Sequence, residues 1–371
     1  MNTLTAERGP QHVTTHTVID CDIHVTPPSI EALFPYLSEN WREYITQSAF
    51  KGAPDTAYPA TVPTTARPGT KPAGGPPGSD LALLQAQALG GGSVAYGILT
   101  CAYAIESIHS PDASAAIASA INDWQIAEML DKEPRLRASL VVPSHWPELA
   151  AREIERVGAH PGFVQVFLPV RSEALYGNRR YHPIFEAAVK HDLVAGIHFG
   201  GSPGNPPTPS GWLSYYMEEW VNMASVFQSQ ILSIIVEGVF DRFPSLRMTM
   251  IEGGFTWVPS LMWRIDKEWK GLRREIPWSR QLPSAYIREQ MRFTIQPVDA
   301  PPDAQHLLQI IQQLGSDDLL LYATDYPHWH VDTAASGTER SPVEALLGVA
   351  LPEVLNRKIA EENARHWYHL P

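Results

Sequence analysis

Thr17-Val-Ile-Asp-Cys-Asp-Ile-His24 is a β-branched run that stops at Val25-Thr-Pro-Pro28, because proline fixes φ and brings no amide to a ladder. It reads as a buried strand. Strand alternation puts Asp20, Asp22 and His24 on one face, the last two at the C-terminal end. Working outward, further β-rich runs follow at Val94–Thr100, Ala138–Val142, Gly162–Leu168, Leu193–Phe199, Leu246–Glu252, Arg292–Ile295 and Leu319–Thr324. Helical patterns lie between them at about Asp112–Lys132, Pro147–Val157, His182–Lys190, Glu218–Phe240, Trp257–Arg274 and Ala304–Leu314. Eight strand–helix units close a parallel barrel. Val194-Ala-Gly-Ile197 and Leu319-Leu-Leu-Tyr-Ala323 are continuously apolar, as strands buried on both faces should be. The expected fold is α/β, a distorted TIM (β/α)8 barrel with Pro/Gly-rich loop insertions. An open doubly wound sheet is the alternative that the same alternation permits.

The chain has 371 residues, 44% hydrophobic and 18% charged, the latter below a typical ~25%. That excludes a disordered chain and a minimal binding module. A net charge of −12 repels phosphate backbones and anionic surfaces, so no nucleic acid and no membrane partner is expected. Residues 1–17 read as a polar leader without a secretory apolar segment, and no run is long and apolar enough to span a bilayer. Cys21 and Cys101 allow one disulfide at most, and the expected location is the cytoplasm. Proline is abundant, 33 of 371, against ~5% in average usage. Much of it falls in an inserted loop at about 49–80 and a cap loop at about 200–220, leaving 18–371 as a single barrel.

Where ionisable residues end apolar strands is informative. Besides Asp22 and His24, the fifth strand ends in Gly196-Ile-His198, the sixth in Ile251-Glu252-Gly-Gly254, and the eighth in Thr324-Asp325-Tyr-Pro-His328. In a barrel these ends converge at the C-terminal mouth, where active sites of this fold lie. Buried unpaired, such groups are costly, and a shared cation resolves the cost. Imidazoles with carboxylates suit Zn, Mn or Fe.

These residues resemble the amidohydrolase superfamily, and within it the amidohydrolase-2 group that includes aminocarboxymuconate-semialdehyde decarboxylase and γ-resorcylate decarboxylase. The segments that carry the likeness are Ile19-Asp-Cys-Asp-Ile-His24, Tyr181-His-Pro-Ile-Phe-Glu-Ala-Ala188, Gly196-Ile-His198, Gly238-Val-Phe-Asp-Arg-Phe-Pro-Ser-Leu246, Glu252-Gly-Gly254, Trp257-Val-Pro259, Thr324-Asp-Tyr-Pro-His328 and Glu362-Asn-Ala-Arg365. The resemblance implies metal ligation by Asp22, His24, His198 and Asp325, with Asp325 also taking the proton from metal-bound water in the hydrolases. This chain departs from many members in having Asp22-x-His24 rather than His-x-His, and Glu252 where they have a strand-six histidine. More carboxylate tilts the site from zinc towards manganese or iron. No lysine stands on strand four to bridge two metals, so one ion is the simpler expectation. Glu252 or Asp22 would bridge a pair, with His328 a further candidate ligand. Asp20 either orients a ligand or sits on the barrel floor.

Candidate catalytic residues are thus Asp325, His198 and Glu252. Trp212, Tyr215 and Trp329 leave ligand-bearing strands at the mouth and are candidates to line an apolar substrate pocket; the 212–220 aromatics read equally as a dimer contact. Arg171, after strand four, is a candidate for holding a substrate carboxylate. The expected activity is metal-dependent hydrolysis of an amide, ester or thioester of a carboxylic acid. The alternatives are non-oxidative decarboxylation of an aromatic or unsaturated acid, an iron-dependent oxygenase, and a silent partner subunit. The expected partners are a small carboxylic acid derivative and a second subunit, as a homodimer or a related-subunit heterodimer.

Overall fold

The structure, a computed structural model, describes residues 17–52, 58, 66–90, 93–202, 204–208, 210–328 and 341–371. Eight parallel strands form one sheet in sequential order: β1 (Val18–His24), β2 (Val94–Thr100), β3 (Leu136–Val141), β4 (Phe163–Pro169), β5 (Val194–His198), β6 (Met248–Ile251), β7 (Met291–Thr294) and β8 (Leu320–Leu321). The ring is completed beyond β8. Cys21 N donates to Tyr322 O, Asp325 N to Asp22 O and His24 N to Tyr326 O. The fold is therefore the expected barrel, and the open-sheet alternative falls away.

Helices cover the ring. Between β1 and β2 lie α1 (Glu39–Ser48) and α2 (Leu81–Gln87); α3 (Pro111–Gln125), α4 (Pro147–Val157) and α5 (His182–Lys190) follow β2, β3 and β4. After β5 come α6 (Tyr216–Val236) and the short α7 (Val239–Arg242). After β6 come α8 (Val258–Leu272) and α9 (Pro283–Gln290), after β7 α10 (Ala304–Gln313), and at the C-terminus α11 (Pro342–Leu347), α12 (Glu353–Arg357) and α13 (Asn363–Trp367). Proline opens α3, α4, α5, α8, α9 and α11, where its missing amide costs nothing and its φ is already helical. The helix read over Asp112–Lys132 is α3 continued by one π-helical turn, Ile126–Leu130.

The eighth strand is shorter than the run Leu319–Thr324 suggests, because its later amides leave the ladder. Tyr322 N bonds Ile359 O, and Thr324 N bonds the Asp20 carboxylate at 2.9 Å. Asp20 also accepts from Thr324 Oγ1. It is buried, and that burial pushes its carboxyl up to about 7. Its position beneath β8 fixes the residue that precedes Asp325.

The opposite, N-terminal end of the barrel is plugged. Trp367 and Tyr368 pack with Ile19, Cys21, Ile98, Val164, Val194 and Leu321 in an interior layer. Trp367 Nε1 and Tyr368 OH both donate to Thr249 Oγ1, at 3.0 and 3.1 Å, and the Arg292 guanidinium lies 4.0 Å over the Trp367 ring. Closed below, the interior opens at the strand C-termini. Both cysteines are buried and free. Among the described residues no helix is long and apolar enough to cross a membrane.

Candidate metal centre

Strand alternation delivers the first carboxylate and imidazole as read from sequence: Asp22 is fully buried, and the His24 ring reaches the mouth. His198 ends β5 and is held by its own backbone, since Nδ1 lies 2.7 Å from Phe199 O. With the proton on Nδ1, Nε2 presents a lone pair to the interior. Glu252 and Asp325 follow β6 and β8, both in left-handed backbone with φ 58°.

These side chains meet. His198 Nε2 lies 3.5 Å from Asp22 Oδ2 and 3.4 Å from Glu252 Oε2. His24 Nε2 lies 3.9 Å from Asp22 Oδ1, 3.7 Å from Glu252 Oε2 and 3.0 Å from Asp325 Oδ1, and His328 Nε2 lies 3.9 Å from Asp325 Oδ1. Two donor groups result, Asp22–His24–His198–Glu252 and His24–Asp325–His328, which share His24.

The donors fit a divalent cation. Both Asp22 oxygens and His198 Nε2 are buried without a well-formed hydrogen bond, a cost that a folded protein ordinarily avoids. Donor separations near 3.4 Å match the edges of a coordination shell whose bonds are about 2.0–2.2 Å. The mixture of hard oxygen and imidazole favours manganese or iron over a thiolate-seeking metal.

Electrostatics without the ion expose the same strain. Burial raises Asp325, the negative Glu252 raises it further, and its carboxyl stands well above the usual range. Burial would also raise Asp22, but the facing His198 and His24 outweigh it and hold Asp22 down to about 2. Burial opposes charge on His24 as well, yet the surrounding carboxylates push its pKa well up.

Above the cluster opens a cavity of about 320 Å³. His24, His198, Glu252 and His328 form its floor; Phe167, Phe199, Tyr216, Trp220 and Pro327 form its walls, together with Ala66, Pro76 and Pro77 from the Pro/Gly-rich segment. Within the wall Trp220 packs on Phe199 with centroids 4.8 Å apart, and the wall meets the floor where Phe167 packs on His198 at 5.5 Å.

The sequence-read substrate residues fare differently. Trp212 and Tyr215 are 55% and 73% exposed and do not line the cavity; their neighbours Tyr216 and Trp220 do. Trp329 lies outside the described residues. Arg171 is buried with its guanidinium 2.8 Å from Glu219, and it is Glu219 that faces the cavity. Gly201, at φ +110°, permits that arrangement, because a Cβ there would stand 2.4 Å from the Arg171 carbonyl. The reading missed Glu106, a buried acid on the loop after β2 that lines the cavity and accepts from Ser202 N at 3.1 Å. An acid six residues beyond an apolar strand was the available signal.

Known proteins share this architecture. A γ-resorcylate decarboxylase from a Polaromonas species is 28% identical over 282 residues, covering 72% of this chain and 80% of that protein. The fold is also that of 2,6-dihydroxybenzoate decarboxylase from Rhizobium (21% identity, TM-score 0.65, 96% of this chain and 99% of that one). It is shared too with 5-carboxyvanillate decarboxylase from Novosphingobium aromaticivorans, determined with manganese and 3-methoxy-4-hydroxy-5-nitrobenzoic acid (20% identity, TM-score 0.68, 96% and 97%). The amidohydrolase profile matches residues 19–370, nearly the whole described chain, and the protein therefore belongs to the amidohydrolase family.

Proposed function

We propose that this enzyme is a metal-dependent, non-oxidative decarboxylase of a small aromatic carboxylic acid. The observation that carries the reading is a cavity with aromatic walls whose polar floor is the donor cluster. The decarboxylases among its relatives support it further. On this reading Asp22, His24, His198 and Glu252 would hold one divalent cation, which when bound supplies a Lewis acid for an anionic substrate.

The remaining work falls to side chains. Phe167, Phe199 and Trp220 would hold a planar ring and exclude water, leaving the carboxylate to face the floor. Asp325, whose carboxyl is raised by burial and by Glu252, is the acid suited to carry a proton. It would pass that proton to the ring carbon bearing the carboxylate. The carbon–carbon bond then breaks, its electron pair restores the ring, and CO₂ leaves. His328, beside Asp325, is placed to return a proton to it.

Hydrolysis of an ester, amide or thioester is the second reading. It is favoured by Glu252, an acid at the position where the resemblance leads one to expect a histidine, because Asp325 would then act as base towards a water.

The deciding experiment offers manganese-loaded enzyme a panel of hydroxybenzoic acids and, separately, aryl esters and thioesters, with CO₂ and acid release measured in parallel. CO₂ from the acids supports decarboxylation. Release of acid from the esters without CO₂ from any benzoate would overturn it in favour of hydrolysis.

A further inference from the structure

We propose that Glu106 is a specificity-determining residue of the cavity: it reads a hydrogen-bond donor, a hydroxyl or an amino group, on the substrate ring, and it turns away a ring that carries a second carboxylate. The inference deepens the reading of the site as one for a small aromatic acid, and rests on it. Glu106 is 4% exposed and lines the cavity whose floor is the donor cluster. An acid buried in a largely apolar wall costs stability unless hydrogen bonds offset it.

The position of Glu106 is built. It lies in the short 3-10 turn Ile105–Ser107, which Ala104 opens in left-handed backbone, φ 53°. Alanine is strained there, and such strain persists where the surrounding structure over-determines it, as it does around bound ligands. Ile105 is buried next to it, and Ser107 N and Oγ both donate back to Ala104 O, at 3.0 and 2.9 Å. Ser202 N donates to Glu106 Oε1 at 3.1 Å, and that bond joins the loop after β2 to the loop after β5, past the ends of β3 and β4. Arg171 pins the β5 loop on both sides of Ser202. Its backbone N donates to Gly200 O at 3.0 Å and its Nη2 to Asn205 O at 3.1 Å. Glu219 lines the cavity too, with its charge balanced by Arg171 Nη1 at 2.8 Å; the pair fixes the loop that holds Glu106.

The rest of the lining decides what Glu106 meets. Among the described residues around the cavity there is no lysine and no arginine. One substrate carboxylate is served at the floor. A second would find only the walls, where Glu106 and Glu219 stand, and like charges repel strongly away from bulk water. A carboxylate accepts hydrogen bonds, so the ring substituent that suits it is an O–H or an N–H. Ala102 and Ala104, small residues in the same lining, leave room for that group. A site that binds such a donor discriminates against the analogue lacking it, because the acceptor is then buried without its partner.

The test titrates manganese-loaded, full-length protein calorimetrically with 3- and 4-hydroxybenzoate, 3- and 4-aminobenzoate, the 3- and 4-methoxybenzoates, isophthalate and terephthalate. In the parent protein the best hydroxy- or aminobenzoate should bind about tenfold or more tighter than the methoxybenzoate of the same position, and than either dicarboxylate. Whichever of hydroxyl and amino binds tighter names the substituent. Glu106→Gln keeps the side chain's size and a carbonyl for Ser202 N, and it should bring both ratios below about threefold. Methoxybenzoates or dicarboxylates that bind the parent as tightly as the donor-bearing acids overturn the proposal, as does a Glu106→Gln variant that melts like the parent and keeps its ratios. If that variant does not fold, the ratios of the parent decide. CO₂ release from the same compounds separates the two readings. The expected binding order without CO₂ overturns decarboxylation and leaves Glu106 in its role, whereas CO₂ from a hydroxybenzoate bound no tighter than its methoxy counterpart removes that role and leaves decarboxylation standing.

Discussion

Glu252 and Asp325 share one backbone conformation: each sits at φ 58°, where a side chain other than asparagine, aspartate or glycine is strained. The turn after each strand swings its carboxylate inward over the barrel mouth, towards the same imidazole, His24. At Glu252 the strain is tolerable because the ring of strands and the bond that Glu252 N donates to Thr294 Oγ1 determine where the chain must go.

Asp325→Asn should leave the fold intact, since asparagine accepts left-handed backbone and is the same size. Turnover should fall by about 10²–10⁴-fold, the usual worth of a positioned acid or base. Steady-state kinetics beside a thermal melt checks this; retained turnover would remove Asp325 from the chemistry.

Metal and protons should compete. His24 and Asp325 are both raised without an ion, so each contributes stability that is lost as pH rises, for His24 above its ordinary 6.5. Metal-free protein should therefore melt at lower temperature as pH goes from 6.5 towards 9. Excess Mn²⁺ should stabilise it by a margin that widens over the same range, because deprotonated donors bind the cation. Scanning fluorimetry with EDTA or Mn²⁺ measures both slopes, and a pH-independent margin would count against the cluster as the binding site.

Arg171→Met should cost about 3–5 kcal/mol in urea unfolding, because it strands Glu219 as an unpaired buried charge. Adding Glu219→Gln should recover most of that loss. If the single variant is as stable as the parent, the pair is not buried in solution.

Trp220→Ala should raise KM about tenfold or more for an aromatic substrate, from the loss of roughly 1.5–3 kcal/mol of apolar contact. Trp212→Ala, at a side chain away from the cavity, should change it little. The reverse order would return the substrate to the sequence-read positions.

The donor cluster was legible because ionisable residues at the ends of apolar strands stand out, and period-two alternation fixes their face. The walls were not. Trp212, Tyr215, Tyr216 and Trp220 lie in one aromatic stretch, and which of them turn inward depends on the residue at which α6 begins. Starting at Tyr216, the helix puts 216, 219 and 220 towards the cavity and 217 and 221 outward. Arg171 looked like a free cation because its partner lies 48 residues away, a pairing only the folded chain creates.

The Trp367–Tyr368 plug sets an order of events. Synthesis proceeds from the N-terminus, so β1 with Asp22 and His24 exists long before the residues that close the barrel beneath them. Until those rings dock on Thr249, water can reach the interior layer around Ile19 and Cys21 from below. Closure of the barrel floor thus waits on arrival of α13, and if the donors hold a metal as proposed, loss of Trp367 and Tyr368 should show first as failure to retain it, ahead of any loss of strand structure.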